Sequence, residues 1–337
     1  MKRSRRITVL MDANAIPSDN PELLVEPDEA STEFHVVNAL RGLDHHVEVL
    51  GVDHDVEAMI LALKAQAPEL VFNLTELFAG DRRQDRNIAA VLEMLGLPFT
   101  GSGVRGLLLC RDKGLSKQLL SHHRIRVPGF AIFSPGDRVT VSHHLTFPVV
   151  VKPMLTDGSE GISNASLVSD EDGLRSRVRL VHERWQQPAI AEEYIAGREL
   201  YVSVLGNRRL QVLPPRELFF RSDEVGGPVM ATYRVKWDAA YQAKWNIRFG
   251  NAELEDRLQR RVSSVCRRVF RILHLQDYGR VDLRVTADGR IVILEVNPNP
   301  DIAWGEEVAE AAERVGISYP ELLTRIMRQA LRRSNVA

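Results

Sequence analysis

The chain has 337 residues, more than one compact domain usually holds, so two or three packed units are expected. Its 44 basic and 45 acidic side chains nearly cancel, which argues against a nucleic-acid surface, and no apolar run is long enough to span a bilayer or to form a signal-peptide core. Only Cys110 and Cys266 occur, far apart and without zinc or disulfide spacing, so a reduced cytoplasmic protein is the expectation.

After a basic tail, Ile7 to Met11 reads as a buried strand and Val47 to Val52 as a second, with helical spacing from Thr32 to Leu43 between them. Glu57 to Ala67 is a further helix stopped at Pro68, Leu70 to Leu74 returns to strand, and Ile88, Val91, Leu92 and Leu95 mark a helix ended by Gly96. This alternation predicts a parallel sheet with helices on its faces. The turn Phe99 to Gly103 is the expected end of the first unit.

Gly106 to Leu120 reads as one helix carrying Lys113 and Lys117 on one face, where a lone lysine is ordinarily a solvated charge. Phe147 to Pro153 is a buried strand that places Lys152 next to a turn containing Gly158, Ser159 and Gly161. Glycines that let backbone N–H groups approach, beside an ammonium, suit a polyphosphate, although the turn is neither a Walker A loop nor a dinucleotide fingerprint. Ala189 to Leu205 reads as two strands about a short turn. Glu192 to Ile195 could line an apolar purine slot and Glu199 could accept from a ribose. Leu218 to Phe249 shows few periodic cues and reads as a long functional loop. Arg257 to Leu273 is an amphipathic helix, and Glu306 to Val315 and Pro320 to Leu331 are two more. None of the ten histidines has partner spacing that argues for a metal site or a triad.

The most informative stretch is Gly279 to Pro298, where two alternating runs flank Asp288-Gly289. A two-residue turn there pairs Arg280 with Asn297, Val281 with Val296, Asp282 with Glu295, Leu283 with Leu294 and Val285 with Val292. One face is then apolar and the other gathers carboxylates. Opposed carboxylates repel unless a cation lies between them, and Asp, Glu and an Asn carbonyl are oxygen donors suited to Mg²⁺. Arg280 beside them can stabilise an oxyanion.

Taken together, Val71-Phe72-Asn73-Leu74-Thr75-Glu76, Pro98 to Gly103, Cys110-Arg111-Asp112-Lys113, Val151-Lys152-Pro153, Glu192 to Ile195, Gly197-Arg198-Glu199, Gly279 to Asp282 and Glu295-Val296-Asn297 occur in one consistent order. In these pieces the chain resembles the ATP-grasp superfamily and, within it, the D-alanine–D-alanine ligase branch. The resemblance implies an α/β fold, α+β in its C-terminal half. It has an N-terminal parallel-sheet substrate-side domain (1–104), a central lid (105–189) and a C-terminal catalytic antiparallel-sheet domain (190–337). It also implies ATP and two Mg²⁺ ions, for which Mn²⁺ can substitute, a carboxylate and an amine as substrates, and a homodimer by analogy.

By the same resemblance, Lys113 and Lys152 contact the phosphates with Gly158 and Ser159. Glu192, Tyr194 and Ile195 line the adenine pocket, and Glu199 binds the ribose. Asp282, Glu295 and Asn297 hold the metals, Arg280 faces the reacting oxygens, and Lys236 stands where the ligases carry a mobile lysine over the γ-phosphate. Both substrate-recognition elements differ. Asn297-Pro298-Asn299-Pro300-Asp301-Ile302-Ala303-Trp304 replaces the ligases' Pro-Gly-Met-Thr and serine segment, and Asp12 to Pro17 replaces their His-Gly-Gly loop. The expectation is an ATP-dependent carboxylate–amine ligase acting through an acyl phosphate on amino-acid-like substrates other than two D-alanines. The alternatives are that ligase itself, a small-molecule kinase and a nucleotide-binding module.

Overall fold

The computed structural model describes residues 4–16, 31–141, 145–156, 160–220 and 230–334, without the side chains of Lys236 and Trp237. β1 (Arg6–Asp12) is buried from Ile7 onward. α1 (Thr32–Gly42) begins where the Ser31 hydroxyl accepts the amide of Phe34. β2 (His46–Val52) follows, then α2 (Val56–Gln66), capped by Asp55 and ended by Ala67 at φ +45 ahead of Pro68. β3 (Leu70–Asn73) completes a parallel sheet of order β2-β1-β3, and α3 (Asp85–Met94) precedes a left-handed Gly96.

The single helix expected from Gly106 to Leu120 is two, α4 (Val104–Arg111) and α5 (Lys113–His122). Asp112 breaks it: its backbone is extended, and its carboxylate accepts the Leu115 amide at 2.8 Å, capping α5. Lys113 is therefore the first residue of a helix, held at a fixed point rather than along a continuous face.

β4 (Phe130–Phe133), β5 (Val149–Pro153), β6 (Leu167–Val168), α6 (Glu171–Trp185) and β7 (Ala189–Glu193) build a second sheet, antiparallel, of order β4-β7-β5-β6. The boundary expected at 189/190 falls at the first residue of β7, an inner strand of this sheet. Val149, Val151, Ala189 and Ala191 bury one face against Leu174, Val178 and Val181 of α6. Val150, Lys152 and Glu192 lie on the other face, which is left to a cleft.

β8 (Arg198–Leu205), β9 (Gln211–Val212) and β10 (Arg216–Phe219) begin the third sheet. The stretch read as an irregular loop instead holds α7 (Tyr233–Trp237), α8 (Ala239–Lys244) and an edge strand, β11 (Arg248–Asn251). Both helices are too short to display a 3.6-residue period, and Thr232 and Asp238 cap them. Val235, Tyr241 and Ile247 pack there with Tyr201 and Leu218. α9 (Asp256–Ile272), β12 (Tyr278–Val285), β13 (Ile291–Asn297), α10 (Glu307–Glu313) and α11 (Tyr319–Ser334) complete the chain.

The third sheet runs β11-β10-β8-β12-β13, with β9 paired to β8. Val262, Cys266, Val269 and Phe270 of α9 pack against Leu200, Val202, Val281, Leu283 and Ile293. By strand alternation, Glu199, Tyr201, Arg280, Asp282 and Arg284 point the other way. α11 crosses back to the first sheet, placing Leu322, Leu323, Ile326 and Met327 in one cluster with Ile7, Val9, Leu70 and Phe72. Both cysteines are free and buried, which pushes each thiol up. Among the described residues no helix is long and apolar enough to cross a membrane.

Candidate active site

The hairpin at the heart of the sequence argument forms, by a different route. Its loop has three residues, Ala287, Asp288 and Gly289, closed by the Thr286 amide on the Arg290 carbonyl at 3.0 Å, with Gly289 at φ +76. Near the loop the register is therefore one residue from the expected one: Leu283 pairs with Ile293 and Val285 with Ile291. A bulge at Leu294 takes up the difference, so that Asp282 still pairs with Glu295, Val281 with Val296 and Arg280 with Asn297. The bulge also turns Leu294 out of the expected apolar face and into the cleft.

That cleft lies between the face of the second sheet that carries Lys152 and Glu192 and the carboxylate face of the third. Lys152, Glu192, Tyr194, Ile195, Glu199, Asp282 and Glu295 all line it. Lys113 reaches it from the start of α5, where its ammonium lies 2.9 Å from Glu295 Oε1 and donates to the Thr156 carbonyl. Arg280 lies behind Asp282, with Nε 2.8 Å from Oδ1 and Nη2 3.1 Å from Oδ2. Asn297 Nδ2 donates to the same carboxylate at 3.1 Å. Among the described residues, cations of the protein itself thus face the opposed carboxylates, Arg280 at Asp282 and Lys113 at Glu295.

Glu192 is the most enclosed charge in the cleft. Lys152 Nζ lies 3.1 Å from its Oε2 and Lys117 Nζ 3.2 Å from its Oε1. Burial would raise the carboxyl's pKa, but the two ammoniums outweigh it and hold Glu192 below its usual value. Burial pulls Lys117 down, whereas for Lys152 the surrounding carboxylates prevail and raise it. Two lysines thus flank one buried carboxylate at the cleft, with Glu295 also acting on both. Although Lys117 is close by, Glu192 Oε1 has no hydrogen-bond partner of good geometry among the described residues, so an acceptor is left over.

The family model for the D-ala D-ala ligase C-terminus matches residues 121–328. A D-alanine–D-alanine ligase of Gluconobacter oxydans is 31% identical over 329 residues, covering 97% of this chain and 100% of the relative. The chain belongs to the D-alanine–D-alanine ligase family. It has that family's ATP-grasp fold and is an ATP-dependent enzyme that forms C–N bonds. An uncharacterized protein of Sinorhizobium fredii is 36% identical over 269 residues, 80% of this chain and 76% of its own length. The crystal structure of the Bacillus anthracis ligase in complex with ATP shares the fold at a TM-score of 0.75 and 24% identity, covering 99% of each chain.

Against this ligase fold, ten of the thirteen residues singled out in sequence line the cleft or contact a side chain that does. Lys236 sits in α7 with its side chain undescribed, and Gly158 and Ser159 lie outside the described residues. Sequence reasoning missed three groups. Lys117, read as solvated, is buried beside Glu192, and its ammonium also donates to the Leu294 carbonyl at the bulge. Leu294 was assigned to the core. Arg284, which no motif marks in the sequence, is paired with Glu199 inside the cleft. A signal existed for Leu294, since Ala-Asp-Gly suits a three-residue loop with a left-handed glycine, which moves the register.

Proposed function

We propose that this chain joins an amino-acid-like carboxylate to an amine, with ATP in the cleft between the second and third sheets. The observation that carries this is the convergence of Lys113, Lys152, Glu192, Glu199, Asp282 and Glu295 on one space, supplied by two different sheets and the start of α5. Glu192 Oε1 keeps an acceptor for an adenine amino group, Tyr194, Ile195 and Leu294 supply apolar walls, and Glu199 accepts from the ribose. Lys113 and Lys152, with Gly158, Ser159 and Lys236, would take the phosphates. The ATP complex of the Bacillus anthracis ligase supports the choice of nucleotide.

Asp282, Glu295 and Asn297 fit a magnesium site: all are oxygen donors on adjoining strands, and both carboxylates already attract cations. Magnesium held there would neutralise charge on the phosphates and order them for in-line transfer. Arg280 is buried in ion pairs that keep it fully charged, and it presents a fixed guanidinium where a phosphoryl or tetrahedral oxyanion would form. The substrate carboxylate attacks the γ-phosphorus and ADP leaves, giving an acyl phosphate. The amine then adds to the acyl carbon, phosphate departs with its bonding pair, and the amine proton is lost to give the amide.

The substrates we propose are other than two molecules of D-alanine, because Asp301, Ile302, Ala303 and Trp304 stand where such ligases carry Gly-Met-Thr and a serine. A phosphate-release screen of D- and L-amino acids with ATP and Mg²⁺, run with and without hydroxylamine, tests both levels. Hydroxamate formation identifies the acyl phosphate, whereas ADP without hydroxamate points to a kinase. D-alanine alone giving full turnover would overturn the substrate proposal. Glu295→Gln is expected to lower turnover about 100-fold or more while the thermal transition stays near that of the parent.

A further inference from the structure

Arg284 is 3% exposed, two residues beyond Asp282 on the cleft face of β12, and in register with Glu199 on β8. Its guanidinium serves three groups at once. Nε and Nη2 donate to Glu199 Oε2 at 3.1 and 2.7 Å, Nη1 donates to the Ile195 carbonyl, and the group lies 4.9 Å from the Tyr194 ring centroid. The turn it grips is also pressed onto β12 by backbone. Gly197, at φ +147, leaves so little room that a Cβ there would meet the Val285 carbonyl oxygen at 2.3 Å.

The carboxylate is consequently held in one orientation. Oε2 receives two donors from Arg284, and Oε1 receives the Tyr201 hydroxyl at 2.9 Å. A carboxylate oxygen accepts about two hydrogen bonds, so Oε2 is filled and Oε1 retains one acceptor position. Without Arg284 the carboxylate could rotate and would stand uncompensated in a buried site.

We infer that Arg284 is a positioning residue that sets ribose recognition, fixing Glu199 so that one oxygen addresses a ribose hydroxyl and clasping the Tyr194–Ile195 turn beside it. The inference rests on the assignment of the cleft to ATP. It requires nothing of the substrate side, so equilibrium binding of nucleotides with Mg²⁺ tests it without knowledge of the acid or amine.

Dissociation constants of ATP, 2′-deoxyATP and 3′-deoxyATP are measured for the wild type, R284M, R284K and the double variant E199Q/R284M. In the wild type one deoxynucleotide is expected to bind about 10-fold more weakly than ATP, the cost of a lost hydrogen bond to a charged group. In R284M, ATP binding weakens by a similar factor and the discrimination falls towards unity, while R284K restores part of it. The double variant removes both charges and carries the same comparison where R284M does not fold. Discrimination preserved in folded R284M or in the double variant, or none in the wild type, overturns the role given to Arg284. A wild type that binds no ATP at all overturns the reading of the cleft itself.

Discussion

Lys117 shows how much a single side chain's placement decides. A lysine on an amphipathic helix costs nothing in water, but this one is 2% exposed, and it spans the gap between Glu192 on the second sheet and the bulge carbonyl of Leu294 on the third. Burial lowers its pKa, and Glu192 above all, with Glu295, opposes this. Lys117→Met keeps much of the volume while removing the ammonium, and leaves Glu192 with Lys152 alone. Urea unfolding is expected to show a loss of roughly 1–3 kcal/mol, with weaker ATP binding alongside. Unchanged stability and binding would return Lys117 to the role of a surface charge. Nothing along the chain separates a buried lysine from a solvated one at the same helical spacing, which is why Lys117 and Arg284 were not legible while Lys152, at the end of an apolar strand, was.

At the scale of elements, the hairpin β12–β13 carries the chemistry because two local departures offset one another. The three-residue loop moves the register by one, and the bulge at Leu294 moves it back before Glu295. Deleting Leu294 removes the extra residue and leaves a regular ladder in which Asp282 still faces Glu295 and Arg280 still faces Asn297. What is lost is the apolar wall that Leu294 gives the cleft and the carbonyl that accepts from Lys117. The expected outcome is ATP binding weakened about 10-fold, with a lowered thermal midpoint. A deletion variant that binds ATP like the parent would show that the bulge contributes neither wall nor carbonyl to the site. A two-residue turn predicts the same pairing of Asp282 with Glu295 that the three-residue loop and the bulge together produce. Periodicity constrains which residues share a face, but it does not count the residues in a loop. Likewise, Asp112 reads as one more helical position until its carboxylate is seen to cap the next helix.

Across the whole molecule, Asp277 joins segments distant in sequence. Its carboxylate accepts from the Gly101 amide at 3.0 Å and Asn207 Nδ2 at 2.8 Å, and lies 3.3 Å from Arg333 of α11. Burial outweighs these partners, and its pKa is pushed up from 3.8 to about 6. An acid whose pKa is higher folded than unfolded binds its proton more tightly in the folded state. Its contribution to stability is therefore fully present below the unfolded value and is lost as the pH rises through about 6. The unfolding free energy of the wild type minus that of Asp277→Asn, which cannot titrate there, is expected to rise by roughly 2 kcal/mol on going from pH 7 to pH 4. Denaturant titrations at several pH values check this, and a flat difference would contradict it.

The alternation of strands and helices at the start with its parallel sheet, the apolar seam of α9 and the carboxylate pair of the hairpin were all determined by sequence, because each depends on spacing within one or two elements. The contact of α11 with the first sheet, the cleft between two sheets and the burial of Lys117 and Arg284 were decided only in three dimensions. Those features depend on which faces meet, and a polar side chain carries no mark of whether its neighbour across the gap will be water or a carboxylate.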